Sequence, residues 1–98
     1  MDKRFDINEF VKVETEQSIT ADLVNRFKKR RKELKISQKN LAIKSSVSYA
    51  SIRRFESCGD ISLSSFIKIG HAIECLSDFN ELFKTQKIQN LRDFKNDK

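Results

Sequence analysis

Positive charge and hydroxyl groups, rather than paired acids and bases, dominate the reactive side chains of this 98-residue chain. Residues 20–56 hold eleven basic against three acidic side chains, residues 1–19 three against five, and residues 57–98 six against six. A cationic excess confined to one stretch of a chain is the footprint expected for a polyanionic partner. Charge alone fits a merely hydrated basic helix equally well. The ingredients of catalysis are sparse. There is one histidine, His71, which reads as an ordinary surface or boundary residue. Cys58 and Cys75 stand 17 positions apart with no further Cys or His at zinc-ligand spacing, so they read as free thiols. The two glycines, Gly59 and Gly70, form no phosphate-binding loop. The expectation is a protein that is not an enzyme and holds neither metal nor cofactor.

The elements that must carry these side chains are helices. The chain lacks proline, so breaks are read from serine and threonine caps placed before apolar-periodic runs. Thr20 is expected to cap a first helix to about Lys35, with Leu23, Val24, Phe27, Arg31 and Leu34 on one face. Ser37 is expected to cap a second, Gln38 to about Ser45, turning Leu41 and Ala42 inward. Ser48 is expected to cap a third, Tyr49 to about Ser57, turning Ile52 and Phe55 inward, with Val47 as a plug before it. Gly59 supplies the positive φ that ends this helix. Ser62 then opens a fourth helix with Leu63, Phe66, Ile67, Gly70 and Ile73 as its stripe. Ser77 opens a fifth, with Phe79, Leu82 and Phe83 inward. The phenylalanines of these helices read as packing, not as exposed platforms for unstacked bases.

The length suits one domain with a single modest core, and the fold class is all-α, a compact five-helix domain over 20–83. Residues 1–19 form an N-terminal arm, either disordered or carrying one dimerising strand at Phe10–Thr15, since a lone strand needs a partner. Residues 84–98 form a polar tail with Ile88, Leu91 and Phe94 at three-residue spacing. No stretch approaches the roughly 18 apolar residues of a membrane span. Met1 to Phe10 lacks the apolar centre of a secretory signal. A soluble, cytoplasmic protein is expected.

The informative constellation runs Ser37-Gln38-Lys39-Asn40-Leu41-Ala42, then Ser45-Ser46-Val47-Ser48, then Ile52-Arg53-Arg54-Phe55-Glu56. Two short helices joined by so short a turn cross steeply, which requires apolar Leu41, Val47 and Ile52 and a small Ala42. The later helix then projects its outer face, and a DNA major groove about 12 Å wide accepts one helix. Residues 21–76 resemble the Cro/XRE family of phage-repressor-type helix-turn-helix regulators, through Arg31, Gln38, Leu41, Ala42, Val47, Ser48, Ile52 and Glu56. Ser62-Leu63, Phe66, Ile67-Lys68-Ile69 and Ala72 are similar to the family's fourth helix. The chain departs from the pattern at Ser46, where the family carries a turn glycine.

The resemblance implies a lambda-repressor-like fold and a sequence-specific repressor binding double-stranded DNA as a homodimer on a palindromic operator. It implies that Ser48, Tyr49, Ala50, Arg53 and Arg54 face bases, Arg54 first among them, because an arginine fork matches guanine O6 and N7. It implies that Gln38 touches a phosphate and braces the recognition helix, with Ser37, Asn40 and Ser51 beside the backbone. It also implies a partly buried ion pair between Arg31 and Glu56. The plainer alternatives are hydrated surface charges for the arginines and a dimer contact for Tyr49. The basic run Arg26, Lys28, Lys29, Arg30, Lys32 and Lys35 is expected partly near the DNA backbone and partly in solvent. Asp78-Phe79-Asn80-Glu81-Leu82-Phe83 and the tail after it resemble HipB-like antitoxins. This implies autoregulation and a HipA-like kinase toxin as partner, contacted through the tail's apolar positions. A stand-alone phage or restriction-system regulator and an interaction adaptor that binds no DNA are the alternatives.

Overall fold

Side-chain hydroxyls start four of the five helices of the computed structural model, which describes residues 13–86. Helix α1 spans Glu16–Glu33, and its cap is a reciprocal box: Thr15 Oγ1 accepts the Ser18 N–H and Ser18 Oγ accepts the Thr15 N–H, both at 3.0 Å. Ser37 caps α2 (Gln38–Ser45), Ser48 caps α3 (Tyr49–Cys58) and Ser62 caps α4 (Leu63–Ala72), each accepting an N–H three residues on. Each such cap is worth about 1 kcal/mol. Helix α5 (Leu76–Asn80) follows Cys75 and has no side-chain cap bond. The described residues are thus all-α.

Two starts differ from the sequence expectation. Thr20 lies inside α1, not at its cap, because its hydroxyl donates to the Glu16 carbonyl at 2.8 Å. Residues 16–19 therefore belong to the first helix and not to an N-terminal arm. Of the strand expected at Phe10–Thr15, residues 13–15 form no regular element and 10–12 lie outside the described residues, as does most of the expected tail. Ser77 lies within α5, because α4 ends early: Glu74 takes φ 65° and the Cys75 N–H returns to the Gly70 carbonyl at 2.8 Å.

The core draws on every helix but the last. Val24 and Phe27 from α1, Leu41 from α2, Val47 from the turn, Ile52 and Phe55 from α3, and Ile69 from α4 meet Ile73 and Cys75. Leu41, Ile52, Ile69 and Ile73 are wholly buried, each stabilising the fold by about 1.5–3 kcal/mol. A file of rings crosses this core: Phe27 to Phe55 at 5.3 Å, Phe55 to Phe66 at 5.2 Å, and Phe66 to Phe79 at 5.0 Å between centroids. The two outer contacts are edge-to-face, the arrangement the ring quadrupoles favour. Phe79 thereby seats α5, its ring lying where a Cβ at Gly70 would stand.

Several expected core residues are exposed. Leu23 and Leu34 sit at the margin of α1, and Ile67 on the flank of α4. Leu63 is 71% exposed because it precedes the part of α4 that reaches the core; it lines a shallow groove with Leu23, Ile61 and Phe66. Leu82 and Phe83 face outward because α5 stops at Asn80, and Phe83, in the left-handed region at φ 59°, is 99% exposed. Cys58 is an exposed free thiol. Burial pushes the Cys75 thiol up, against the opposing pull of Arg30, whose Nη1 donates to Sγ at 3.0 Å. Among the described residues no helix is long and apolar enough to cross a membrane.

The turn between α2 and α3 rests on Ser46 at φ 62° and ψ 23°, its N–H bonded to the Ala42 carbonyl. A side chain in this left-handed region costs about 1–2 kcal/mol. Ser46→Gly is expected to raise stability by about 1 kcal/mol, less whatever the freer unfolded chain takes back. Urea denaturation checks this, with a higher midpoint at unchanged slope. Gly59→Ala has the opposite sign, because Gly59 combines φ 79° with a Cβ direction occupied by the Thr20 methyl.

Candidate nucleic-acid interface

The base of the site is one ionic knot. Arg31 on α1 donates from Nε to Glu56 Oε2 at 2.8 Å and from Nη2 to Oε1 at 2.9 Å, a two-pronged match of guanidinium to carboxylate. The two side chains are 9% and 3% exposed. The remaining capacity is used: Arg31 Nη1 donates to the Ile36 carbonyl at 2.8 Å, and Gln38 Nε2 donates to Glu56 Oε1 at 2.9 Å. Among the described residues no buried side-chain nitrogen or oxygen lacks a partner. Glu56 near the end of α3 therefore fastens α1 and the start of α2, and Arg31 adds the α1–α2 connection through Ile36. Gln38 spends one of its two amide N–H groups on this brace.

Glu56, Ile52 and Phe55 are the buried residues of α3. Of the other residues of the helix, Tyr49, Ala50, Arg53, Arg54, Ser57 and Cys58 are exposed and Ser51 is half-buried. Ala50, Arg53, Arg54 and Ser57 follow at intervals of three, one and three and so share a face. They line an open groove with Lys28, Arg31, Lys32, Gln38 and Glu56. Two predicted base-facing positions carry long cations on that face, and a third, the small Ala50, lies one turn before them.

The individual side chains are held by local partners. The Tyr49 ring has Lys39 Nζ at 5.7 Å and the Arg53 guanidinium at 5.6 Å from its centroid, within cation–π range. Arg54 Nη2 meets Asp60 Oδ2 at 2.8 Å, both side chains largely exposed. Ser48 accepts the Ser51 N–H at 3.0 Å and its hydroxyl donates to Ser51 Oγ at 2.9 Å, so this pair is occupied by capping. Ser37 accepts the Asn40 N–H at 3.0 Å, and the Asn40 side chain is exposed beside it. Ser37 and Ser48 thus each spend their hydroxyl on the first turn of their own helix, while the last turn of α2 and the first turn of α3 flank the short turn at 46–48. Asp60 is the participant that sequence reasoning missed. It follows the helix-ending Gly59, and the left-handed turn there returns it to Arg54.

Removing one partner of the buried pair leaves the other charge stranded, which costs about 3–5 kcal/mol. Glu56→Ala and Arg31→Ala are each expected to lose that much in thermal or urea denaturation. Gln38→Ala is expected to lose about 1 kcal/mol, the net worth of a hydrogen bond. An Arg31→Ala melt that coincides with the unaltered protein would remove the pair from the list of fold determinants.

Comparison with known protein families, curated proteins and solved structures finds no match to this chain.

Proposed function

We propose that this protein is a cytoplasmic, sequence-specific repressor that binds double-stranded DNA by laying α3 in the major groove. One observation carries the reading: α3 keeps its sole carboxylate buried and turns Tyr49, Ala50, Arg53 and Arg54 to solvent. A groove that admits one helix would meet that face first. Arg54 is the leading base reader, with Arg53, Tyr49, Ala50 and Ser48 beside it. Ser37, Gln38, Asn40 and Ser51 flank the backbone, where contacts position the helix without reading sequence. The residues that match the Cro/XRE pattern lie behind this surface and hold α3 in place: Leu41, Val47 and Ile52 are core, and Arg31, Gln38 and Glu56 form the ionic knot. That resemblance supports the reading.

A helix this short covers few base pairs, so a homodimer on a palindromic operator belongs to the proposal. The exposed Leu76, Leu82 and Phe83 support a contact at the α5 end. The finer role, an autoregulatory antitoxin that also engages a HipA-like kinase, rests on the resemblance of the Asp78–Phe83 segment alone. The apolar tail positions Ile88 and Leu91 that would serve it lie outside the described residues. Co-purification with the product of the neighbouring gene separates that role from a stand-alone regulator.

A gel shift against the DNA upstream of its own gene, in excess unrelated duplex, is the deciding experiment. A retained shift is expected, and none at low salt would exclude the reading in favour of a protein-interaction adaptor. Arg54→Ala is expected to lose about 1–3 kcal/mol of preference for the bound site. Arg54→Lys, which keeps the charge but not the fork, is expected to lose most of the same preference. A lysine variant as selective as the original would reassign Arg54 to the phosphates.

A further inference from the structure

Lys28 and Lys32 on α1 lie four residues apart, one helical turn, and so share a face. That face looks across the open groove toward Arg53 and Arg54 on α3. The groove floor is the Arg31–Glu56 pair, in which the only carboxylate of the lining is buried and matched by its own guanidinium. What remains unneutralised along the walls is cationic. The other basic residues of α1 are placed differently. Arg30 is directed at Cys75 and Glu33, Arg26 does not line the groove, and Lys29 lies outside it in a neighbouring depression with Glu33. Past Lys28 the surface changes sign, reaching Glu16 and Asp60 in the adjoining depression. The cationic stretch is therefore short and bounded.

We infer that Lys28 and Lys32 form a second anion-binding wall that holds the sugar-phosphate backbone beside α3. The inference rests on the DNA-binding reading above and extends it to a helix outside the recognition pair. The physical reason is width. A major groove about 12 Å across takes one helix, so with α3 inside, α1 is kept at the rim, where the charged strand runs. Lysines there meet phosphate oxygens and no base edge, adding affinity for any duplex and no preference among sequences.

The test measures non-specific binding of a labelled 24-base-pair duplex of arbitrary sequence by fluorescence anisotropy between 50 and 200 mM KCl. Each phosphate contact contributes about 0.9 to the slope of log K against log salt. Lys28→Gln with Lys32→Gln is expected to flatten that slope by about 1.8, and Lys28→Arg with Lys32→Arg to restore it. Lys44→Gln with Lys68→Gln removes the same charge from a different surface depression and is expected to leave the slope near the original. An unchanged slope in the Lys28/Lys32 variant, with the unaltered protein still binding, overturns this wall and leaves the repressor reading standing. Equal flattening by the Lys44/Lys68 control also overturns it, in favour of a diffuse effect of net charge. If the unaltered protein binds no duplex even at 50 mM KCl, both readings fall together. Melting curves of the variants that overlay the original confirm that the slopes compare folded proteins.

Discussion

The arrangement of this domain turns on the buried contact between Arg31 and Glu56. Two charges removed from water carry a desolvation penalty that only close, fully hydrogen-bonded geometry offsets. Here the guanidinium meets both carboxylate oxygens, the Ile36 carbonyl takes a third donor, and Gln38 supplies another N–H to Glu56. Such a knot contributes little net stability compared with well-packed hydrocarbon of the same volume. Its effect is on phase. Turning α3 by a single residue rotates it by roughly 100°, which would expose Ile52 and strand both charges. With Glu56, Ile52 and Phe55 fixed inward, Ala50, Arg53 and Arg54 have only the outward direction left.

Stability comes from elsewhere. Leu41, Ile52, Ile69 and Ile73 exclude water completely, and the file of phenylalanines from Phe27 to Phe79 links four of the five helices. This burial lets the chain tolerate local cost in its turns. Lys35, Ser46 and Glu74 all take positive φ without being glycine, at about 1–2 kcal/mol each. Ser46 matters most for the site, since the three-residue turn Ser46-Val47-Ser48 both drops Val47 into the core and sets Ser48 to cap α3.

Much of the fold was legible because its signals are local. A serine before an apolar-periodic run marks the starts of α2, α3 and α4 to the residue, and Gly59 marks the end of α3 to within one residue. The start of α1 was misplaced because two threonines compete. Thr15 caps through a box closed by Ser18 instead of the usual acid or amide, and the hydroxyl of Thr20 turns back onto a carbonyl of its own helix. That choice depends on a rotamer, which spacing does not encode. The fifth helix was misread for a related reason: an apolar run at Leu82-Phe83 resembles core, but the chain leaves helical geometry before reaching it. At the candidate interface the cationic positions were legible through the family resemblance, and burial of Ile52, Phe55 and Glu56 leaves Arg53 and Arg54 exposed. The partners of those cations were not legible. Asp60 reaches Arg54 only through the turn at Gly59, and Lys39 reaches Tyr49 only across the interhelical turn.

Those partners bear on how such a surface can stay ready for a polyanion. Several cations crowded on one face repel one another, and long side chains free in solvent lose rotamer entropy when they bind. Arg54 rests on Asp60, while Lys39 and Arg53 flank the Tyr49 ring. Exposed ion pairs and exposed cation–π contacts are each worth only about 0–1 kcal/mol. They are strong enough to bias the side chains toward extended, outward conformers and too weak to compete with a bidentate base contact or a phosphate. The buried pair works the other way, being costly to break and therefore permanent. On the DNA-binding reading, the domain divides its charges accordingly: one matched pair is locked inside to orient α3, and the cations on its outer face are lightly held so that a duplex can take them.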